Sequence, residues 1–232
     1  ALERISQKLQ KIGLKVTSNR KNEQKLICSD GVSDIKIEPN YTLRGYVFEP
    51  QLMELCPKAQ DLFGYAEARI ISEAELWGGK ICAALDRQHP RDLFDIYNLL
   101  NTVGINSEIK NGFISLLLAG NRPLHEMLKP NFQMDEDIFD KEFAGMTDES
   151  FTFDEAKRTF LKLVENIHTI LTDEDKRFLL DFVQLKANLQ AADISNLDKL
   201  PGIKWKLKNL ENLQNQNPEK FQEQYDKLKI SL

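Results

Sequence analysis

The spacing of apolar residues divides the chain into a short part with strand periodicity and a long part with helical periodicity. At the start, Ile5, Leu9 and Ile12 recur at helical spacing, which predicts an amphipathic helix over residues 2–14 that ends near Gly13. Short β-type runs follow at residues 25–28, 33–38, 44–48 and 67–71. These runs predict a small, mostly antiparallel sheet.

From residue 72 onward the apolar residues follow a helical period. The predicted helices cover residues 73–86, 91–102, 107–119, 153–171, 173–187 and 217–230. At Ser72 and at Thr152 a hydroxyl residue precedes a glutamate by three positions, which is typical of a capped helix start. A less regular acidic connection is predicted over residues 134–150. The fold class is therefore α+β, with a domain boundary between residues 71 and 72.

Composition mainly excludes classes of function. The formal charge is -5, so a site for a polyanion must be a local patch. No apolar run approaches the roughly 18 residues that a membrane helix needs, and the start does not resemble a signal peptide. The odd cysteine count favours reduced thiols in a cytoplasmic protein. The chain begins with Ala1 and not with Met, and this hints at coding sequence lost upstream.

Five charged residues on a predicted helical hairpin are the main candidates for chemistry: Lys80, Arg87, Arg91, Asp92 and Asp95. Phosphoryl-type transfer needs this combination, because cations neutralise a triphosphate while carboxylates hold Mg²⁺ or orient the nucleophile. A structural interpretation stays open. In it, Asp92 stabilises the start of its own helix, Asp95 pairs with Arg91, and Lys80 lies over apolar neighbours.

Two glycines and a histidine mark the same hairpin. Gly78 and Gly79 lie in mid-helix, where each costs about 1 kcal/mol relative to alanine. We therefore expect close backbone packing there, or the approach of a ligand. His89 precedes Pro90, which favours a capping or surface role over catalysis, and no histidine has a second ligand at metal spacing.

A basic run near the C-terminus surrounds an aromatic residue: Lys204, Trp205, Lys206 and Lys208. Such a run can contact an RNA backbone. The alternative places Trp205 in the core, which is the more frequent position for a tryptophan.

The hairpin resembles the second conserved motif of the AbiEii/AbiGii-type toxin nucleotidyltransferases. The matching positions are Lys80, Ala84, Leu85, Arg87, Arg91, Asp92, Leu93 and Asp95. The resemblance continues in the expected order through residues 121–130, 142–147, 171–182 and 200–210. It therefore spans most of the chain.

This resemblance implies a polymerase-β-like core, of which residues 1–71 are the partial remnant. It assigns catalysis to Lys80, Asp92 and Asp95. It assigns nucleotide binding to Lys80, Arg87, Arg91 and Arg122. Arg122 has an alternative role in a salt bridge that anchors its loop. Glu38 is similar to the third metal-binding carboxylate of the family, and its alternative is a solvated charge at the end of a strand.

The first motif of the family, a Gly-Ser turn followed by Asp-x-Asp on a strand, is missing from these 232 residues. Residues 135–137 are acidic but have no strand pattern around them. We expect this chain by itself to bind metal poorly and not to catalyse.

The resemblance implies a bacterial toxin that, when complete, transfers NMP from an NTP to an acceptor, with tRNA as the acceptor class. Mg²⁺, NTP and a cognate antitoxin are the expected cofactor, substrate and protein partner. The alternative is a non-catalytic RNA- or protein-interaction module on the same scaffold.

Overall fold

The computed structural model describes residues 2–18, 25–38, 46–190, 192, 194 and 196–232. Within them, eleven α-helices and two small antiparallel sheets form an α+β fold with a large helical C-terminal region, as predicted. The chain divides into two compact units, residues 1–43 and residues 44–232. A domain boundary between residues 71 and 72 stays a prediction.

The first unit contains one helix and a three-stranded sheet. Its elements are α1 (Leu2–Lys11), β1 (Lys15–Ser18), β2 (Leu26–Ser29) and β3 (Asp34–Ile37). The central strand β2 is antiparallel to both neighbours and buries Leu26 and Cys28 on one face. Gly13 adopts a positive φ of 92° and turns the chain after the predicted helix.

The second unit begins with a segment that sequence analysis interpreted incorrectly. Part of the strand predicted at 44–48 lies outside the described residues, and residues 46–48 form no strand. The backbone N–H groups of Val47 and Phe48 instead donate to the carboxylate of Glu75, at 3.0 and 3.4 Å. Glu75 is therefore a buried anchor for this segment, and Ser72 alone caps the following helix by accepting from the Glu75 N–H.

A two-stranded antiparallel hairpin follows, with a short helix between its strands. Its elements are β4 (Gln51–Glu54), α2 (Pro57–Phe63) and β5 (Glu67–Ile70). Only β5 was predicted.

The rest of the unit is helical. Its α-helices are α3 (Glu73–Asp86), α4 (Pro90–Asn101), α5 (Ser107–Ala119), α6 (Leu124–Leu128), α7 (Glu136–Phe143), α8 (Phe153–Ile170), α9 (Asp173–Val183), α10 (Pro201–Gln216) and α11 (Pro218–Ser231). All six helices predicted after residue 72 are present. The fifth, α9, ends early, and Leu185 just beyond it adopts a positive φ of 62° that leaves the helical conformation. None of the described helices is both long enough and apolar enough to cross a membrane.

The acidic connection contains a helix, α7, where an irregular segment was expected. Asp135 caps it by accepting from the backbone N–H of Ile138 at 2.8 Å. Phe139 and Phe143, one turn apart, bury its inner face. The acidic residues 135–137 therefore begin a helix and do not form an Asp-x-Asp strand.

The contact between α3 and α5 determines where the candidate hairpin lies on the core. A Cβ atom added to Gly78 would lie 2.4 Å from the carbonyl carbon of Gly112, and one added to Gly112 would lie 2.0 Å from the oxygen of Ala74. The two backbones are in direct contact, which confirms close packing at Gly78. At Gly79 the added atom would meet only Leu116, at an ordinary 3.5 Å.

Candidate functional site

Helices α3 and α4 form the predicted hairpin, and their inner faces are fully buried. Ile81, Ala84 and Leu85 of α3 are at most 1% exposed, as are Leu93 and Ile96 of α4. Helix α4 begins with Pro90, and the His89 ring nitrogen Nδ1 accepts from the Arg91 N–H at 3.2 Å. The capping role of His89 is confirmed, and the charged residues are held on a rigid base.

The turn between the two helices is fixed by Gln88, a residue that sequence analysis did not single out. Gln88 has a positive φ of 51° and is 7% exposed. Its side-chain amide donates to the Asn131 carbonyl at 2.7 Å and accepts from the Gln133 N–H at 2.8 Å. These two hydrogen bonds attach the turn to the loop after α6.

Lys80 and Asp95 join the two helices. The Lys80 ammonium lies 2.5 Å from Asp95 Oδ2, and the two side chains are 31% and 36% exposed. The same ammonium lies 5.9 Å from the centre of the Trp77 ring. Asp95 therefore pairs with Lys80 across the hairpin and not with Arg91 along its own helix, so that part of the structural interpretation is wrong.

Arg87 and Asp92 form a second ion pair, a bidentate one, at the turn. Arg87 Nε and Nη2 donate to the two carboxylate oxygens of Asp92 at 2.6 and 2.7 Å. The hydrogen bond to Asp92 raises the pKa of the Arg87 guanidinium. Only 9% of the Asp92 side chain is exposed. Asp92 is thus bound to a cation, and most of the Arg87 charge is balanced locally.

Arg91 is the cation of the hairpin that is not neutralised. It is exposed, and within the part of the chain that the structure describes its side chain has no hydrogen-bond or ion-pair partner. Arg91 lies one turn before Asp95 on α4, so both occupy the same helix face. Asp95, which pairs with Lys80, therefore lies on the helix face that also carries Arg91, and the three side chains together carry one net positive charge.

Arg122 lies at the opposite end of α3 from Ser72 and forms ion pairs there. It donates to the side chain and the backbone carbonyl of Asp86, at 2.9 and 3.1 Å, and to Glu126 at 3.1 and 3.2 Å. The hydrogen bond to Asp86 raises the pKa of Arg122. This arrangement matches the anchoring alternative, and nucleotide binding by Arg122 stays a prediction.

The basic run on α10 is divided between the interior and the surface. Lys206 is 7% exposed, and its ammonium donates to the carbonyls of Gly120 and Arg122 at 2.8 and 2.5 Å. Burial lowers the pKa of Lys206 to about 8. Trp205, in contrast, is 60% exposed. The core position expected for Trp205 is wrong, and Lys206 supports the α5–α6 connection in place of contacting RNA.

Glu38 lies in the first unit, immediately after β3. Its carboxylate pairs with Lys36 at 2.9 Å and with Lys25 at 3.8 Å, and about half of the side chain is exposed. The hydrogen bond from Lys36 lowers its pKa. Lys36 and Glu38 are two positions apart at the end of β3, so their side chains extend to the same side of the chain.

The donor groups within the described ranges do not fit a Mg²⁺ ion without further ligands. No three acidic, histidine or cysteine side chains there come together as a metal site. Asp92 and Asp95 are each bound to a cation of the hairpin. A role of Glu38 as a metal ligand therefore stays a prediction that requires carboxylates outside this set.

Comparison with known protein families places most of the chain in a family. Residues 2–209 match the family described as the nucleotidyl transferase AbiEii toxin of type IV toxin–antitoxin systems. No curated protein matches the chain, and no solved structure does. The match includes the whole α3–α4 hairpin and most of both units. The chain therefore belongs to the AbiEii family of toxin nucleotidyltransferases.

Proposed function

We propose that the α3–α4 hairpin is the triphosphate-binding half of a site that transfers NMP from an NTP to an RNA acceptor, with tRNA as the acceptor class. The observation that carries the proposal is the cluster of Lys80, Asp95 and Arg91. Two cations beside one carboxylate, on helices that the core holds rigidly, provide a small positive site of the kind that attracts a triphosphate.

Each residue of the hairpin has a separate part in this proposal. Lys80 and Arg91 contact phosphate oxygens. Asp95 positions the Lys80 ammonium, because the 2.5 Å ion pair and the Trp77 ring restrict where it can lie. The ion pair of Arg87 and Asp92 stabilises the turn, and the exposed Arg87 side chain lies at its rim.

Mg²⁺ is expected only for the complete protein. When bound, it would neutralise charge on the phosphates during the transfer. The residues of this chain bind and orient the triphosphate. A cognate antitoxin is the protein partner that we propose from membership of a toxin–antitoxin family.

A non-catalytic interaction module is the second candidate. It is favoured for this chain taken alone because, among the described residues, no three acidic, histidine or cysteine side chains come together as a metal site. The two candidates differ in one readily checked feature of the native open reading frame. Codons for a Gly-Ser turn and an Asp-x-Asp strand before Ala1 would favour the enzyme, and their absence would favour the module.

We expect the 232-residue chain to give no Mg²⁺-dependent incorporation of labelled NTP into total RNA. In a gene product that does carry the Gly-Ser and Asp-x-Asp motif, Lys80→Ala and Asp95→Asn should each reduce transfer by about 100-fold, since Lys80 contacts the transferring triphosphate and Asp95 positions the Lys80 ammonium. Lys157→Ala, on the surface of α8, is the control and should leave transfer unchanged. Unchanged transfer in both hairpin variants would exclude these residues from the mechanism.

A further inference from the structure

One face of α10 combines an exposed tryptophan with lysines and amides. Lys204, Trp205 and Lys208 are all exposed, whereas Ile203 and Leu210 on the opposite face are buried. Neither exposed lysine has a hydrogen-bond or ion-pair partner for its side chain anywhere in the described ranges. The face continues with exposed amide side chains at Asn209, Asn212, Asn215 and Gln216.

The charge of this face differs from that of the whole chain. The acidic residue of α10, Glu211, is exposed and lies at the edge of the face. The protein as a whole, in contrast, carries a formal charge of -5. The helix that carries this face is also fixed to its neighbours. Lys206, on the opposite side of α10, donates from its ammonium to the carbonyls of Gly120 and Arg122, which lie between α5 and α6. The exposed tryptophan is thus presented on a helix that is firmly attached to the core.

The chemistry of the face fits a single-stranded nucleic acid. An aromatic side chain stacks on any unpaired base, neighbouring ammonium groups bind the phosphates on either side, and amides bond to base edges. We infer that this face of α10, centred on Trp205 with Lys204 and Lys208, binds a single-stranded segment of RNA. This inference rests on the proposed function, in which RNA is the acceptor, and it names the surface that holds the acceptor.

Fluorescence anisotropy with the 232-residue chain tests the inference without any transfer reaction. The probe is a labelled single-stranded RNA of about a dozen nucleotides, within the site sizes known for such binding. We expect Trp205→Ala to weaken binding about 10-fold, which corresponds to the loss of one stacked base. Binding should also quench the emission of Trp205, and this quenching should be absent in Trp205→Phe.

The salt dependence of RNA binding tests the two lysines separately from any effect of the substitutions on folding. In the double variant Lys204→Gln/Lys208→Gln, the slope of log K against log salt should fall by about 1.4, at about 0.7 per cation. The matched control is Arg158→Gln/Lys162→Gln, two exposed cations at the same spacing on α8, which should keep the slope of the unmodified chain.

Three results with the single-stranded RNA would overturn the inference, and a fourth concerns a duplex. The three are binding by Trp205→Ala that equals that of the unmodified chain, a slope that falls equally in the control, and no binding of the RNA at low salt. A duplex of the same sequence should bind more weakly, because its bases are already stacked, and equal binding of the duplex also contradicts the inference. Failure of RNA binding would leave triphosphate binding by the hairpin intact, so the two proposals fail separately.

Discussion

Replacing Gly78 by alanine is expected to lower the free energy of unfolding by about 3 kcal/mol or more, whereas replacing Gly79 is expected to raise it by about 0.5–1 kcal/mol. The two positions are adjacent in the same helix and gain the same helix propensity. They differ in what the new methyl group meets. At Gly78 it would lie 2.4 Å from the backbone of Gly112, which cannot move aside, and at Gly79 it would touch only the end of Leu116.

Chemical denaturation of the two variants measures the difference directly. A change in the denaturation midpoint with a constant m value identifies an effect on stability. Gly112→Ala should resemble Gly78→Ala, because its added methyl group would lie 2.0 Å from the Ala74 oxygen. Equal stability of the Gly78 and Gly79 variants would show that α3 and α5 are not in backbone contact.

The second large expected effect is a dependence of the free energy of unfolding on pH that Lys206 causes. Its pKa is about 8 in the folded protein because of burial, below its ordinary value of 10.5. Between these values the unfolded chain binds more protons than the folded one, so the stability contributed by this group rises with pH from about 8 to about 10.5. We expect the contribution of Lys206 to the free energy of unfolding to rise by about 2 kcal/mol between pH 7 and about pH 9.5.

The comparison with Lys206→Met isolates this effect. At about pH 9.5, where most of the Lys206 amine is neutral, the variant should be less stable, because two carbonyls lose their donor at a cost of about 1–3 kcal/mol. The free energy of unfolding of the unmodified protein minus that of the variant should increase as pH rises from 7 to about 9.5. The Cys82 thiol, whose pKa burial raises to about 12, changes stability in the opposite direction, but it does so equally in both proteins. A constant difference from pH 7 to about pH 9.5 would contradict the lowered pKa.

The helices around the hairpin could be predicted because their signals are local. Ser72 and Thr152 accept the hydrogen bonds expected of caps, and the apolar residues of α3, α4, α5 and α8 recur every three to four positions. The segment at 46–48 could not be predicted, because its backbone donors bind a carboxylate 27 or 28 positions away. Alternation in a short run does not reveal such a partner.

The candidate site shows the same division between local and distant causes. Sequence alone located the charged residues, but not their partners, since the pairing of Lys80 with Asp95 depends on how two helices cross. Gln88 gave no signal at all, because its partners Asn131 and Gln133 are more than 40 positions away. The burial of Lys206, in contrast, does have a signal in the sequence. Its spacing from Ile203 and Leu210 places it on the buried stripe of α10, with Trp205 outside that stripe.

Triphosphate binding by this chain tests the central claim most directly. In a Trp205→Phe background, the emission of Trp77 reports on the Lys80 ammonium 5.9 Å away, and inorganic tripolyphosphate is a ligand that does not absorb light itself. We expect saturable binding that Lys80→Gln and Arg91→Gln each weaken about 10-fold, in line with the loss of one charge-assisted contact. Lys157→Gln should bind like the parent. Equal affinity in all four proteins, or no saturable change in Trp77 emission, would contradict the assignment of the hairpin as a triphosphate site.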